Sequence, residues 1–223
     1  VAADGPQCLP AMDCAAWASE SPPNMNPTPV EMSSSMALAE QAYGALSRTA
    51  YPDEASIQST AIALLERCKA HDDPQLDARE RALIGACWVR AGQPQRGVPY
   101  LEFDWSDADP RSCGLAGSAI LSLGAAGPAV VALHRAAQEP QCDPAVRINW
   151  GRALLMIGRA EEALPILEEA SHVLPDQTLA KLSVAEALLS LGRVQEALAR
   201  VPENPEEEAL IAARVHLLGA ASR

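Results

Sequence analysis

Cys68-x2-His71, with Cys87 further along, is the spacing that comes nearest to a metal site. A structural zinc wants four thiolate or imidazole ligands closed around it, and no fourth ligand accompanies these three. Cys68 and Cys87 fall on packed helix faces instead, so no metal and no other cofactor is expected. His134, His172 and His216 stand isolated on helical stretches. There is no Gly-x-Ser-x-Gly elbow, no HExxH, no paired CxxC and no glycine loop to cradle phosphate. Glu161, Glu162, Glu168 and Glu169 have the spacing of a solvated helix face, whereas acid–base work needs a sheltered pocket that shifts a carboxyl pKa. No catalytic residue is named: the expectation is a binding surface.

The remaining chemistry is that of thiols. Six cysteines occur: Cys8, Cys14, Cys68, Cys87, Cys113 and Cys142. An even count points to disulfides in an exported protein, while a buried thiol also serves as a small hydrophobe. Cys8 with Cys14 is a candidate local bridge. Cys113 begins the first helix of a helix pair and Cys142 follows the second, so an antiparallel pair could bring them together. Cys68 with Cys87 is less obvious, because Cys87 lies inside its helix. The chain begins at Val1, which fits a mature form left after cleavage, a trimmed form, or an omitted initiator. Periplasmic or secreted is the localisation expected from these features, with cytoplasmic as the alternative.

Composition says what positions these residues. Hydrophobic residues make up 48% of the 223, enough for a core, yet aromatics are only 4%. Ala, Leu, Glu, Gln and Arg dominate, which favours helix over the aromatic and β-branched mix of a sheet protein. The net charge of −12 with no basic stripe argues against nucleic acid and against anionic membrane surfaces. No apolar run reaches the roughly 18 to 20 residues of a membrane helix.

Residues 1–35 carry Pro6, Pro10, Pro22, Pro23, Pro27 and Pro29 and then Ser33, Ser34 and Ser35. They read as an extended or loosely ordered arm, with Trp17 available to dock it. Residues 36–223 read as helix throughout. Helix pairs are expected near 36–49 with 54–71, 78–91 with 94–103, 112–123 with 128–138, 144–157 with 160–173, and 178–191 with 194–201. A single helix near 205–218 follows them. Asp109-Pro110, Asp143-Pro144 and Asn204-Pro205 supply N-caps followed by proline at the first helical position. Asp77, and Asp176 or Gln177, serve two further starts.

An internal repeat ties these elements together. Gly158 and Gly192 lie 34 residues apart, as do Ala163 and Ala197, and Leu154 and Leu188. One step back, Gly124, Gly117 and Ala129 keep the pattern, and a step of 32 reaches Gly92 with Gly85. A helix pair cannot bury its apolar face alone, so such units stack. Small residues at 85, 117, 151 and 185 let two helices approach. Gly92, Gly124, Gly158 and Gly192 should take the left-handed conformation that ends a helix. Small residues at 97, 129, 163 and 197 should mark the crossing of the second helix. Ala212 and Gly219 continue the first-helix pattern into the last helix, whose Ala209, Leu210, Ile211, Val215, Leu217 and Leu218 are apolar for a solvated end.

This pattern resembles the tetratricopeptide repeat, a 34-residue helix-turn-helix reading W-x2-L-G-x2-Y, then A-x3-F, then P. Here one unit reads Arg147-x2-Trp150-Gly151-x2-Leu154, Ala163-x3-Leu167, Ala170 and Pro175. The next reads Lys181-x2-Val184-Ala185-x2-Leu188 and Ala197-x3-Val201. Leu and Val replace the aromatic residues. The resemblance implies a bacterial tetratricopeptide protein with an all-α fold: a right-handed α-α superhelix of about five helix pairs plus a C-terminal helix. It also implies a concave groove lined by the first helices, which would carry Ala145, Ile148, Asn149, Arg152, Leu155, Leu179, Leu182, Glu186 and Leu189. Asn149 occupies one position of the carboxylate clamp some family members use. Gly114, Ser118, Leu179 and Ser183 at the matching places lack charge and reach, so that clamp is incomplete. A mostly apolar groove with one Arg and one Glu suits an amphipathic helix or an extended peptide from another protein.

The expected function is a non-enzymatic protein–protein scaffold supporting assembly of an envelope or secretion complex. The alternative is an accessory or regulatory region of a larger enzyme or enzyme complex. Self-association through the C-terminal helix is a further expectation.

Overall fold

The computed structural model describes residues 35–47, 54–70, 72–105, 108–202 and 208–221. The Pro-rich arm, with Cys8, Cys14 and Trp17, lies outside the described residues, as do His71 and the Asn204 cap. Among the described residues every regular element is an α-helix: α1 (Ser35–Ser47), α2 (Glu54–Leu65), α3 (Ala78–Arg90), α4 (Pro94–Leu101), α5 (Pro110–Ser122), α6 (Ala126–Ala137), α7 (Pro144–Met156), α8 (Ala160–Val173), α9 (Thr178–Ser190), α10 (Val194–Arg200) and α11 (Glu208–Ala221). Five helix pairs are followed by one single helix. They form an all-helical solenoid.

Helix starts follow the expected capping chemistry in three cases. Asp77 accepts from the Glu80 amide, and the Glu80 carboxylate accepts from the Asp77 amide in return. Asp109 accepts from Arg111 N and Ser112 N, and Asp143 from Ala145 N. Helix α5 starts at Pro110 itself, two residues earlier than expected, because proline at the first helical position gives up no hydrogen bond. Helix α9 starts after Gln177, whose side chain makes no cap bond.

In the last four helix pairs the turn is a glycine turn. Gly92, Gly124, Gly158 and Gly192 have φ of 76, 82, 80 and 74°. At the third turn, Gly158 N donates to Leu155 O at 2.9 Å and Arg159 N to Leu154 O at 2.9 Å. Gln93, Ala125 and Arg193 repeat the second bond to Trp88, Ile120 and Leu188. These paired bonds satisfy the last carbonyls of the first helix and reverse the chain.

Packing within a repeat places a large residue over a small one. A Cβ on Gly85 would stand 2.6 Å from Leu101 Cδ2, one on Gly117 2.7 Å from Leu133 Cγ, and one on Gly151 2.5 Å from Leu167 Cγ. In the fourth unit with this pattern Ala185 and Val201 hold these places, both buried in one cluster. Gly97, Ala129, Ala163 and Ala197 are buried at the crossings.

The stacking follows one rule. Each first helix packs on the next: α1 on α3, α3 on α5, α5 on α7, α7 on α9, and α9 on α11. Second helices pack on their own first helix and on the following one, but not on one another. Long ion pairs reach between them instead, as from Arg200 Nη2 to Glu168 Oε1 at 2.6 Å. The first helices therefore line one side of the solenoid, called here its inner face. Val130 and Trp150 pack against the clusters on both sides of them, so the core is continuous through the middle repeats.

Candidate functional site

The inner face is built from α5, α7 and α9. Along α7, Asn149 and Arg152 are half-buried and stand one turn apart. Asn149 Nδ2 donates to Ser118 Oγ on α5 at 3.0 Å, and Arg152 Nη1 donates to Asn149 Oδ1 at 3.4 Å. The asparagine at the clamp-like position is thus committed to holding two first helices together. Leu155, Leu182 and Leu189 pack against the core with one side. Leu179, Glu186 and Met156 are exposed, and Ala145 is half-buried.

Ile148 departs from the expected groove. It is fully buried in the core formed with Leu164, Leu167 and Val184. An apolar residue between two stacked first helices lowers its free energy most by leaving the surface altogether. Met156 and Ser118 are the inner-face residues that register alone did not assign to the groove. Met156 was detectable, since it lies four residues after Arg152 on the same stripe. The Ser118–Asn149 bond spans 31 residues and has no local signature.

Glu162, Glu168 and Glu169 of α8 and Glu196 of α10 pair with arginines. Arg159 Nε donates to Glu162 Oε1 at 2.6 Å, Arg193 Nε to Glu196 Oε1 at 2.7 Å, and Arg147 pairs with Glu169. The hydrogen bonds from Arg159 and Arg193 hold the Glu162 and Glu196 carboxyls below the usual range. They are solvated helix-surface pairs worth little individually.

The cysteines correct one expectation. Cys68, Cys87, Cys113 and Cys142 are all free thiols, so no bridge joins Cys113 to Cys142. Cys113 is buried with Ala108 and Ala136, against Phe103, Trp105 and Val146. Cys142 sits in the loop before α7 beside Arg147, in a shallow cavity of about 170 Å³ with Pro140, Pro144, Ala170 and Val173. The two side chains serve different packing environments. Cys87 Sγ donates to Ala39 O at 3.6 Å, and Cys68 Sγ to Ser35 O at 3.6 Å, stitching α1 to the repeats behind it. Burial pushes the Cys87 thiol up to about 12 and the Cys68 thiol to about 11. Such thiols are packing groups and poor nucleophiles. The cavity at Cys142 supplies a thiol and a guanidinium but no base. Among the described residues no three metal-ligating side chains come together, and no helix is long and apolar enough to cross a membrane.

No family model matches the chain, and no curated protein matches it by sequence. Solved structures do match in fold. A structure titled MamA MSR-1 shares 20% identity over 84% of this chain and 98% of its own, with a TM-score of 0.58. One titled MamA AMB-1 shares 23% over 73% and 92%, with a TM-score of 0.57. A second crystal form under the MamA AMB-1 title shares 22% over 82% and 98%, with a TM-score of 0.56. These are tetratricopeptide-like helical solenoids, and at such identity the likeness establishes the fold class of this chain.

Proposed function

We propose that the chain is a non-enzymatic protein-binding scaffold whose inner face takes an amphipathic helix or an extended peptide of another protein. The observation that carries this reading is the stripe of Met156, Leu179, Leu155, Leu182 and Leu189 along α7 and α9, bracketed by Arg152 and Glu186. Leucines half out of the core and next to single charges of both signs give area for burial and a register for the partner. A role in assembling an envelope or secretion complex, in the periplasm or outside the cell, belongs to the same proposal and draws on the cysteine count. A cytoplasmic placement is the alternative. Self-association through α11 is the other part of the reading.

The test uses exposed positions, which leave the fold intact. A photo-crosslinking residue at Met156 or Leu179 should capture one protein in cells, and the same residue at Glu162 on the outer side should not. Met156→Glu with Leu179→Glu should abolish capture. Equal capture from both sides, or capture untouched by the double variant, removes the groove.

A second reading, an accessory region of a larger enzyme or enzyme complex, is favoured by the bare face of α11. A stop codon directly after the Arg223 codon in the natural reading frame would remove it.

A further inference from the structure

The charges of the solenoid are sorted by helix row. Among the second helices, α8 carries Glu161, Glu162, Glu168 and Glu169 and no Lys or Arg. The first helices differ. Arg79 and Arg111 stand six residues before Gly85 and Gly117, as Ala145 and Leu179 stand before Gly151 and Ala185. Arg90 stands five residues after Gly85, as Met156 stands after Gly151. The register that puts Ala145, Leu179 and Met156 on the inner face therefore puts these three arginines there, in line with Arg152. Their contacts agree. Arg79 Nη2 lies 3.5 Å from Glu40 Oε1 of α1, and the Arg90 guanidinium lies 5.4 Å from the centre of the Tyr43 ring of α1. Both reach from one first helix to the next, as Asn149 does towards Ser118. Arg79, Arg90 and Arg111 are exposed, and Arg152 is half-buried. Against them stand Glu40, in an exposed pair with Arg79, and Glu186 on α9. The nearby carboxylates of Asp77, Asp109 and Asp143 accept amides of the helices they cap. An exposed ion pair holds little, so Arg79 is able to exchange its partner.

We propose that the protein segment held by the inner face is acidic at one end and apolar at the other. Its carboxylates lie on Arg79, Arg90 and Arg111 of α3 and α5, and its apolar side chains on Met156 and Leu179 of α7 and α9, with Arg152 between. This names the chemistry of the partner in the reading above and rests on that reading. Charge complementarity selects it. The chain as a whole carries −12, yet this row gathers arginines, and the planar guanidinium fork matches a carboxylate. Leu83 and Leu115 stand where α7 has Asn149, two residues before the small position. The arginine section therefore lacks the clamp-like asparagine, and Asp and Glu side chains along a segment are its match rather than a chain end. Stacked helices lie about 8–10 Å apart, so α3 to α9 is about 24–30 Å. That length is covered by about 8–9 extended residues or about 16–20 helical ones.

A photo-crosslinking residue at Ser122 of the whole chain reads this section alone, since Ser122 is exposed and stands five residues after Gly117, on the row of Arg90 and Met156. The probes are two peptides of about 18 residues with the same leucine stripe, one with Glu and one with Lys at the polar positions. Net charge alone favours the Lys peptide. The arginine row predicts the reverse: the Glu peptide should half-saturate crosslinking at a concentration at least about tenfold lower, the size of effect expected for a few exposed charge pairs. Arg111→Glu with Arg90→Gln should remove the preference, and Arg111→Glu spares the fold because an acid suits the first turn of α5. Arg193→Gln, in the turn before α10, should leave the preference intact. An equal or stronger Lys peptide, crosslinking by neither peptide, or a preference that survives the double arginine variant overturns the inference. Equal crosslinking to a single-stranded oligothymidine overturns a protein segment as occupant. A Glu preference that survives Met156→Glu with Leu179→Glu supports the arginine section and overturns the apolar groove on which the function above rests.

Discussion

Gly151→Ala is a sensitive probe of how the repeats close. The new methyl would stand 2.5 Å from Leu167 Cγ and 2.6 Å from Cδ2. Carbon atoms rest at roughly 3.5–4.0 Å, so α8 or the Leu167 rotamer must give by about 1 Å. Overpacking of this kind costs about 1–3 kcal/mol, against a helix-propensity gain of about 1 kcal/mol for replacing glycine. The net expectation is a loss of about 0–2 kcal/mol, or a fall of up to about 8 °C in Tm for a chain of this size. Leu167→Ala alone should cost about 2–5 kcal/mol through its cavity. In that background the clash is gone and only the propensity gain remains, so Gly151→Ala should then be neutral or stabilising by up to about 1 kcal/mol. The double-mutant cycle, followed by urea unfolding with circular dichroism, should therefore show a coupling of about 1–3 kcal/mol. Equal destabilisation by Gly151→Ala in both backgrounds would refute the large-over-small account of the repeat.

Burial raises the folded-state pKa of the Cys87 and Cys68 thiols above the usual 9.0, and that of Tyr100 above 10.0. The folded chain then keeps protons that the unfolded chain releases, so stability is full below pH 9 and falls between about pH 9 and 12; Cys87→Ala should flatten this slope in thermal melts. Asp109 behaves oppositely. Burial pushes its carboxyl up, but the Ser112 hydroxyl and the Ser112 and Arg111 amides bring it below the usual range. Its contribution holds above its unfolded value and is lost as pH falls through the folded one, and Asp109→Ala should lower stability by about 1 kcal/mol at neutral pH. A thiol count on denatured, unreduced protein should give four if Cys8 and Cys14 are paired, the remaining four being the free Cys68, Cys87, Cys113 and Cys142; six would remove the support for export.

The fold was largely legible because its signals are single residues with strict jobs. A glycine at φ near +80° and a glycine under a leucine both recur with the repeat, and neither tolerates much else. Positions that need only be apolar accept several residue types, and Leu and Val stand here where the tetratricopeptide pattern has aromatics. Helix ends were less legible. Helix α2 stops at Leu65, and the chain tightens with Arg67 N to Leu64 O and Cys68 N to Leu65 O. The next amide, Lys69 N, is taken by Ser35 Oγ, 34 residues away. A boundary decided by a distant hydroxyl has no local trace.

The inner face shows the same division more sharply. Register placed nine residues on it, but register cannot distinguish an isoleucine that faces a partner from one wedged between stacked helices. Ile148 is the wedge, while Leu155, seven residues on, keeps one side out. The difference comes from the neighbouring helix. Ile148 shares its cluster with Leu164 and Leu167 of α8 and Val184 of α9, whereas Met156 and Leu179 stay exposed. The exposed apolar residues of this face, Met156 at the end of α7 and Leu179 at the start of α9, lie in the C-terminal repeats, as does the exposed apolar face of α11.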